Sequence, residues 1–188
     1  MRIVGGTARG RVLAAPKSDD VIRPTADRVR ETLFNVLGQR CDDLDVLDLY
    51  AGTGALALEA VSRGAKQAVL VDNGREALTL CRQNIDALKF SAQCELVAAD
   101  ALKAIASLAK QGRTFQLVFA DPPYKQRAGL ALLEALDAAN LITDGGLAVI
   151  ETGEDEALPE QAGRFARIDE RLYGATRVSI FRLTHHAA

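Results

Sequence analysis

The sequence is poor in the residues that build disulfide frameworks and metal centres. Its three cysteines, Cys41, Cys81 and Cys94, are far apart and form no C-x-x-C pair. That spacing excludes a zinc ribbon or a disulfide-stapled scaffold and points to reduced thiols in a cytoplasmic protein. The two histidines, His185 and His186, stand together near the C-terminus, where a frayed tail is expected and no metal site is. No apolar run approaches the roughly 18 residues of a membrane span. The opening MRIVGGTARGR has neither an apolar export core nor a cleavage site. Net charge is also scarce, at -2, and by itself gives no sign of a nucleic-acid partner.

The distribution of charge is less even. Residues 1–30 hold Arg2, Arg9, Arg11, Lys17, Arg23, Arg28 and Arg30 against Asp19, Asp20 and Asp27, which is +4 against -6 for the rest. A basic segment on an acidic body suits an anionic partner, although a solvated charged surface gives the same count.

The 188 residues are 48% hydrophobic and 26% charged, enough for one domain with a full core. From Asp45 onward, short apolar runs alternate with helical patterns. DVLDLY (45–50), QAVLVD (67–72), CELVAAD (94–100), FQLVFA (115–120) and GLAVIET (146–152) read as strands, with helices between them. That alternation predicts an α/β fold with a mostly parallel, doubly wound sheet. FARIDERLYG and TRVSIFRL alternate in pattern and predict antiparallel strands at the sheet edge. The polar stretch 153–164 reads as a loop. RIVGGTARGRVLAA reads as a glycine-turned β-hairpin outside the main sheet, followed by a proline-started helix in RPTADRVRETLFNVLG. The expected division is an N-terminal extension over 1–40 and a main domain over 41–188.

The loop after the first strand is D-L-Y-A-G-T-G-A-L-A, with Gly52, Gly54 and Ala57 in a G-x-G-x-x-A pattern. Asp72 lies 20 residues after Gly52, at the end of the second strand, where a carboxylate accepts from ribose hydroxyls. A nucleoside ligand follows, and NAD, FAD and S-adenosylmethionine all fit such a loop. Asp48 helps to choose. A carboxylate beside the helix start would repel a pyrophosphate but attract an ammonium and a sulfonium. S-adenosylmethionine carries both and no phosphate. Asp48 as a simple loop cap is the structural alternative. Asp100 could meet an adenine amino group or cap the next helix, or do both.

DPPY (121–124) ends the fourth strand, whose carboxyl end is expected to face the same crevice. Pro122 and Pro123 fix two φ angles and remove two donors, leaving their carbonyls as aimed acceptors. Asp121 and the Pro122 carbonyl can hold the two protons of an exocyclic amino group while Tyr124 stacks on the base. The amino lone pair is delocalised into the ring, so holding both protons turns it toward a methyl donor and stabilises the forming cation. Asp121 either takes the proton or only stabilises the cation. Lys125 and Arg127 follow where flanking phosphates could pass, with a solvated loop as the other reading. Guanine and adenine both carry such an amino group.

RIVGGTARGR, RPTADRVRETLFN (23–35), LDLYAGTGALALEAVSRGA (47–65), ADPPY (120–124) and RLYGATRVSIFRL (171–183) together resemble the RsmD-type bacterial 16S rRNA guanine-N2 methyltransferases. The resemblance covers nearly the whole chain. It implies a class I, Rossmann-like methyltransferase fold and S-adenosylmethionine as donor, giving S-adenosylhomocysteine, with no metal. It implies methylation of N2 of guanine 966 in 16S rRNA, within a small ribosomal subunit that brings ribosomal proteins near the site. A cytoplasmic monomer is expected. Carried over, Asp48, Tyr50, Gly52, Gly54, Asp72 and Asp100 would surround the donor. Asp121, Pro122, Pro123 and Tyr124 would hold the base. Arg2, Arg9, Arg11, Arg23, Arg28 and Arg30, with Lys125 and Arg127, would meet rRNA phosphates, unless Arg28 and Arg30 pair with Asp27 or Glu31. Asp72 stands where the family more often has Glu, which shortens the reach to a ribose, and TAD stands for TTD. The competing readings are an adenine-N6 methyltransferase on RNA or DNA, a non-catalytic RNA-binding assembly factor, and an NAD-dependent oxidoreductase.

Overall fold

The computed structural model describes residues 1–16 and 24–184, the side chains of 24–26 aside. Lys17, Arg23, His185 and His186 lie outside the described residues. The chain forms two compact units, Met1–Ala99 and Asp100–Ala188.

In the first unit, α1 (Pro24–Val36) precedes β1 (Asp45–Leu49), α2 (Ala55–Ser62), β2 (Gln67–Asp72), α3 (Arg75–Leu88) and β3 (Cys94–Ala98). Proline at the first position of α1 costs the helix nothing, because that N–H has no intrahelical partner. The strands run parallel in the order β3-β2-β1. Their register places Leu49 beside Val71 and Asp72 beside Ala98, so the loops after β1 and β2 start at one level. A parallel strand covered on both faces needs apolar residues throughout. Val46, Leu47, Leu49 and Val69 to Val71 are accordingly buried. Helix α3 buries Cys81, Asn84, Ile85 and Leu88, an i, i+3, i+4, i+7 stripe in which the apolar Cys81, Ile85 and Leu88 carry the helical period of the sequence and Asn84 interrupts it.

The N-terminal segment folds back on itself as expected, through one antiparallel bridge between Arg2 and Val12. Ile3 N–H donates to the Arg11 carbonyl at 2.9 Å and Leu13 N–H to that of Met1 at 3.1 Å. It does not stand free of the unit. Val4 and Gly5 N–H donate to the two Glu59 carboxylate oxygens at 2.9 and 2.8 Å. Ala8 N–H donates to Ser62 Oγ at 2.9 Å. Glu59 and Ser62 are buried on α2, and the segment supplies the partners that buried polar groups require.

In the second unit, α4 (Ala101–Lys110) leads to β4 (Phe115–Ala120), a 3-10 turn (Tyr124–Gln126) and α5 (Gly129–Ala138). Then follow β5 (Ile142–Gly153), β6 (Gln161–Ala162), β7 (Phe165–Tyr173) and β8 (Thr176–Leu183). The order is β4-β5-β8-β7-β6. The pair β4–β5 is parallel, and the pairs β5–β8, β8–β7 and β7–β6 are antiparallel. Two expectations need correction. Strand β5 begins at Ile142 and not near Gly146, because the register shifts between Phe115 and Leu117 and a bulge with Gly145 at φ 74° absorbs the apparent turn residues. The polar stretch 153–164 contains β6, which Gly163, at φ 58°, folds back onto β7. Two residues are too few to leave a period in the sequence.

Candidate functional site

The glycine loop between β1 and α2 is built by backbone strain and closed by side chains. Tyr50, Gly52 and Gly54 all have positive φ, at 61°, 57° and 79°. Only glycine takes that region without steric cost, which accounts for two of the three residues. Gly54 also has no room for a side chain, because an added Cβ would lie 2.8 Å from Leu70 Cδ2. At Gly52 an added Cβ would meet nothing nearer than the Tyr50 carbonyl at 4.0 Å. That face of the loop is open to close approach by a ligand.

Asp72 holds the loop from β2. Its Oδ2 accepts from Gly52 N–H at 3.0 Å and its Oδ1 from Gly74 N–H at 2.8 Å. Asp48, 3% exposed, accepts from Ala57 N–H at 3.1 Å. The loop-capping role weighed for Asp48 is therefore present. Burial pushes its carboxyl up to about 7, the Ala57 N–H works against the shift, and the charge of Asp72 adds to it. The loop N–H groups of Ala51, Gly52 and Gly54 are already taken, by the Val71 carbonyl, Asp72 and the Ala51 carbonyl. Among the described residues neither Asp48 nor Asp72 has a lysine or arginine hydrogen-bond partner, so the two carboxylates complement ammonium and hydroxyl groups better than phosphate. This donor set fits S-adenosylmethionine.

Sequence reasoning missed the braces behind the loop. Cys81 Sγ donates to the Gly52 carbonyl at 3.2 Å. Asn84 Nδ2 donates to the Thr53 carbonyl at 2.9 Å and to that of Ala14 at 3.1 Å, and its Oδ1 accepts from Ala14 N–H at 2.7 Å. One buried carboxamide thus joins the N-terminal segment to the glycine loop. The signal was an asparagine on the apolar stripe of α3. Asp100 is exposed and caps α4, accepting from Leu102 N–H at 3.1 Å and Lys103 N–H at 3.3 Å.

In the second unit, Asp121 is exposed just after β4, Pro122 is buried, and Pro123 and Tyr124 are exposed. One expectation for the prolines narrows. The Pro123 carbonyl accepts from Gln126 N–H at 2.9 Å, which closes the 3-10 turn and leaves that oxygen one lone pair for a further donor. Tyr124 is 41% exposed, yet its hydroxyl is held. It donates to Glu151 Oε1 at 3.0 Å and lies 2.6 Å from Thr176 Oγ1. Burial first, with the nearby acids, pushes the phenol up to about 12. It stays protonated at neutral pH, so proton removal is not a task for Tyr124.

The basic residues divide. Arg2, Arg9, Arg11 and Arg28 are exposed, and Arg11 also donates to the Ala87 carbonyl at 2.7 Å. Arg30 is 4% exposed and pairs with Asp27 at 2.9 Å and Glu59 at 3.3 Å. Its charge is neutralised inside the protein, which takes it out of the set of phosphate ligands. Lys125 is exposed, and Arg127 pairs with Asp155 at 3.0 Å. No described helix is long and apolar enough to cross a membrane.

Comparison with known proteins adds the following. The family model for conserved hypothetical protein 95 matches residues 1–182. The chain is 34% identical to ribosomal RNA small subunit methyltransferase D of Escherichia coli strain K12, over 97% of this chain and 89% of that one. It superposes on the solved yhhF protein of Escherichia coli with a TM-score of 0.86 and 31% identity, covering 99% of each chain. A SAM-dependent methyltransferase from Agrobacterium tumefaciens matches with a TM-score of 0.66 at 19% identity, over 87% of this chain and 63% of that one. At that distance it supports the fold alone.

Proposed function

The chain belongs to the conserved hypothetical protein 95 family, the RsmD family of ribosomal RNA methyltransferases, and on that premise we propose that it methylates N2 of guanine 966 in 16S rRNA. The donor is S-adenosylmethionine, which supplies the electrophilic methyl group. The substrate is the small ribosomal subunit, met in the cytoplasm by a monomer whose residues 1–40 serve as the RNA-facing extension. The observation that carries the reading is the pairing of two motifs in one chain. One is an acid-held glycine loop with an open face at Gly52. The other is a DPPY turn with an exposed, protonated tyrosine.

In this reading Asp48 faces an ammonium, Asp72 the ribose and Asp100 the adenine edge. Asp121 and the Pro122 carbonyl hold the two amino protons, and Tyr124 stacks on the base. Fixing both protons aims the nitrogen lone pair, and the Asp121 charge offsets the cation that forms. The test is tritiated S-adenosylmethionine with small subunits from a strain lacking this protein, followed by nucleoside analysis. N2-methylguanosine is expected. N6-methyladenosine would move the activity to adenine, and no label would leave a non-catalytic assembly factor.

The pH dependence of donor binding has a definite sign. Asp48 in the free protein is held partly neutral by burial, with its carboxyl near 7, and only the ionised form attracts an ammonium. Raised above its unfolded value, this group disfavours the folded state as pH rises from about 4 to about 7. A bound cation offsets that loss. Donor affinity is therefore expected to rise from pH 6 to pH 8, with proton release on binding, by calorimetry in buffers of differing ionisation enthalpy. Flat affinity and no proton release would remove Asp48 from the ammonium.

Reversing Arg9 and Arg28 together is expected to weaken subunit binding and lower the salt slope by about 1 to 2, the loss of one counterion term per phosphate contact. An unchanged slope in a salt titration would place the RNA surface elsewhere.

A further inference from the structure

We propose that Glu151 and Thr176 are positioning residues that fix and polarise Tyr124 for the acceptor base, an inference that rests on Tyr124 being the stacking residue. The strand register explains the arrangement. Glu151 and Gly153 are two apart on β5 and so point to one face, and Thr176 of β8 lies directly opposite Gly153. The ring of Tyr124 sits over that glycine, where an added Cβ would come within 3.5 Å of Tyr124 Cγ. Its hydroxyl reaches Glu151 Oε1 at 3.0 Å and Thr176 Oγ1 at 2.6 Å. One side of the ring therefore rests on sheet backbone, its tip is tied at two points, and 41% of the residue stays exposed. An aromatic platform held this way loses little rotamer freedom when a base arrives.

Burial raises the Glu151 carboxyl, and the hydrogen bond from the Tyr124 phenol works against that shift. A phenol has one hydrogen. With Glu151 ionised, Tyr124 donates to it and Thr176 donates to the phenol oxygen. A carboxylate accepting from a phenol pushes electron density into the ring. Methylation of an amino nitrogen puts positive charge on the base, and an electron-rich ring stabilises a stacked cation. Glu151 therefore acts on the chemical step through Tyr124, beyond holding it in place.

The experiment compares kcat and KM for methyl transfer to small subunits in Glu151→Gln, Thr176→Val, Tyr124→Phe, Tyr124→Leu and the doubles with Tyr124→Phe. Glu151→Gln keeps an acceptor but removes the charge, and is expected to lower kcat roughly threefold to tenfold, the scale of one cation–π contact, with KM within about twofold. Thr176→Val is expected to lower kcat/KM, and neither substitution is expected to add to Tyr124→Phe. Glu151→Gln costing as much in the Tyr124→Phe background as alone would overturn the inference. Tyr124→Phe matching wild type while Tyr124→Leu fails would overturn it too and leave stacking intact. Tyr124→Leu at wild-type turnover would sink the stacking role itself.

Discussion

Asp121→Ala is expected to lower methyl transfer by about a hundredfold or more while S-adenosylmethionine still binds within about twofold of wild type. The magnitude is that of removing one preorganised charge from a developing cation, the acceptor counterpart of deleting an oxyanion-hole donor. Donor binding should survive because the loop that serves it is held by Asp72, Cys81 and Asn84, all within Met1–Ala99, whereas Asp121 follows β4 in the second unit. Asp121→Asn separates the two roles open to this carboxylate. An amide oxygen still accepts one amino proton but carries no charge and takes up no proton. If Asp121→Asn keeps a tenth or more of the wild-type rate, orientation dominates. If it falls as far as Asp121→Ala, charge or proton transfer does. Turnover near wild type for Asp121→Ala, measured by label incorporation at saturating donor, would show that Asp121 has no part in the reaction.

The second large effect is expected on stability. Glu59 is fully buried, with the Arg30 and Arg63 guanidinium groups at 3.3 and 2.8 Å and two backbone N–H donors from Val4 and Gly5. Arg63 also stacks over Phe34 at 4.8 Å. Four donors converge on one carboxylate, so its desolvation is compensated. Glu59→Gln keeps the shape but takes the carboxylate from Arg63 and leaves Arg30 with Asp27. Breaking a buried pair in this way costs about 3–5 kcal/mol. For a chain of this size each kcal/mol lowers Tm by about 2–4 °C, so a fall of about 6–20 °C is expected by scanning calorimetry. Hydrogen exchange supplies the local reading, because the Val4 and Gly5 amides should lose protection before the amides of β1 and β2 do. A Tm drop under about 2 °C would mean that the charges are dispensable. Retained protection at Val4 and Gly5 would mean that the N-terminal segment is held by other contacts.

Glu59 also marks where the sequence stops being readable. Strands β1, β2 and β4 were legible because each is an apolar run ended by an acid or a turn, a pattern that one-dimensional spacing records. The glycine loop after β1 and the acid at the end of β2 that holds it were legible because their spacing follows from the strand–loop–helix geometry. A glutamate inside ALALEAVS reads as a solvent-facing helix position, and only the fold shows that the N-terminal segment covers it. Arg30 is the same case from the other side. Its charge counted toward a basic surface; the pairing with Asp27, three residues away, was open to the sequence, but the one with Glu59 depends on a contact across 29 residues. Asn84 could have been suspected, since it interrupts an apolar stripe, but its partners at Ala14 and Thr53 could not. The turn hydrogen bond of the Pro123 carbonyl was not legible for a local reason, because two prolines in a row do not say which of their oxygens the next turn will use.

Thr176 opens β8, the last strand among the described residues. Translation therefore delivers the parts in a fixed order. The glycine loop and its acids are complete by residue 99, and the DPPY turn is made some 50 residues before the strand that ties down its tyrosine. A polypeptide cut short before residue 176 would keep the residues proposed for the donor, together with Asp121 and the tyrosine ring, but would lack the second tether of the phenol. Strand β8, which carries Thr176, thus supplies its tether to the proposed acceptor platform after the platform's other parts have been made.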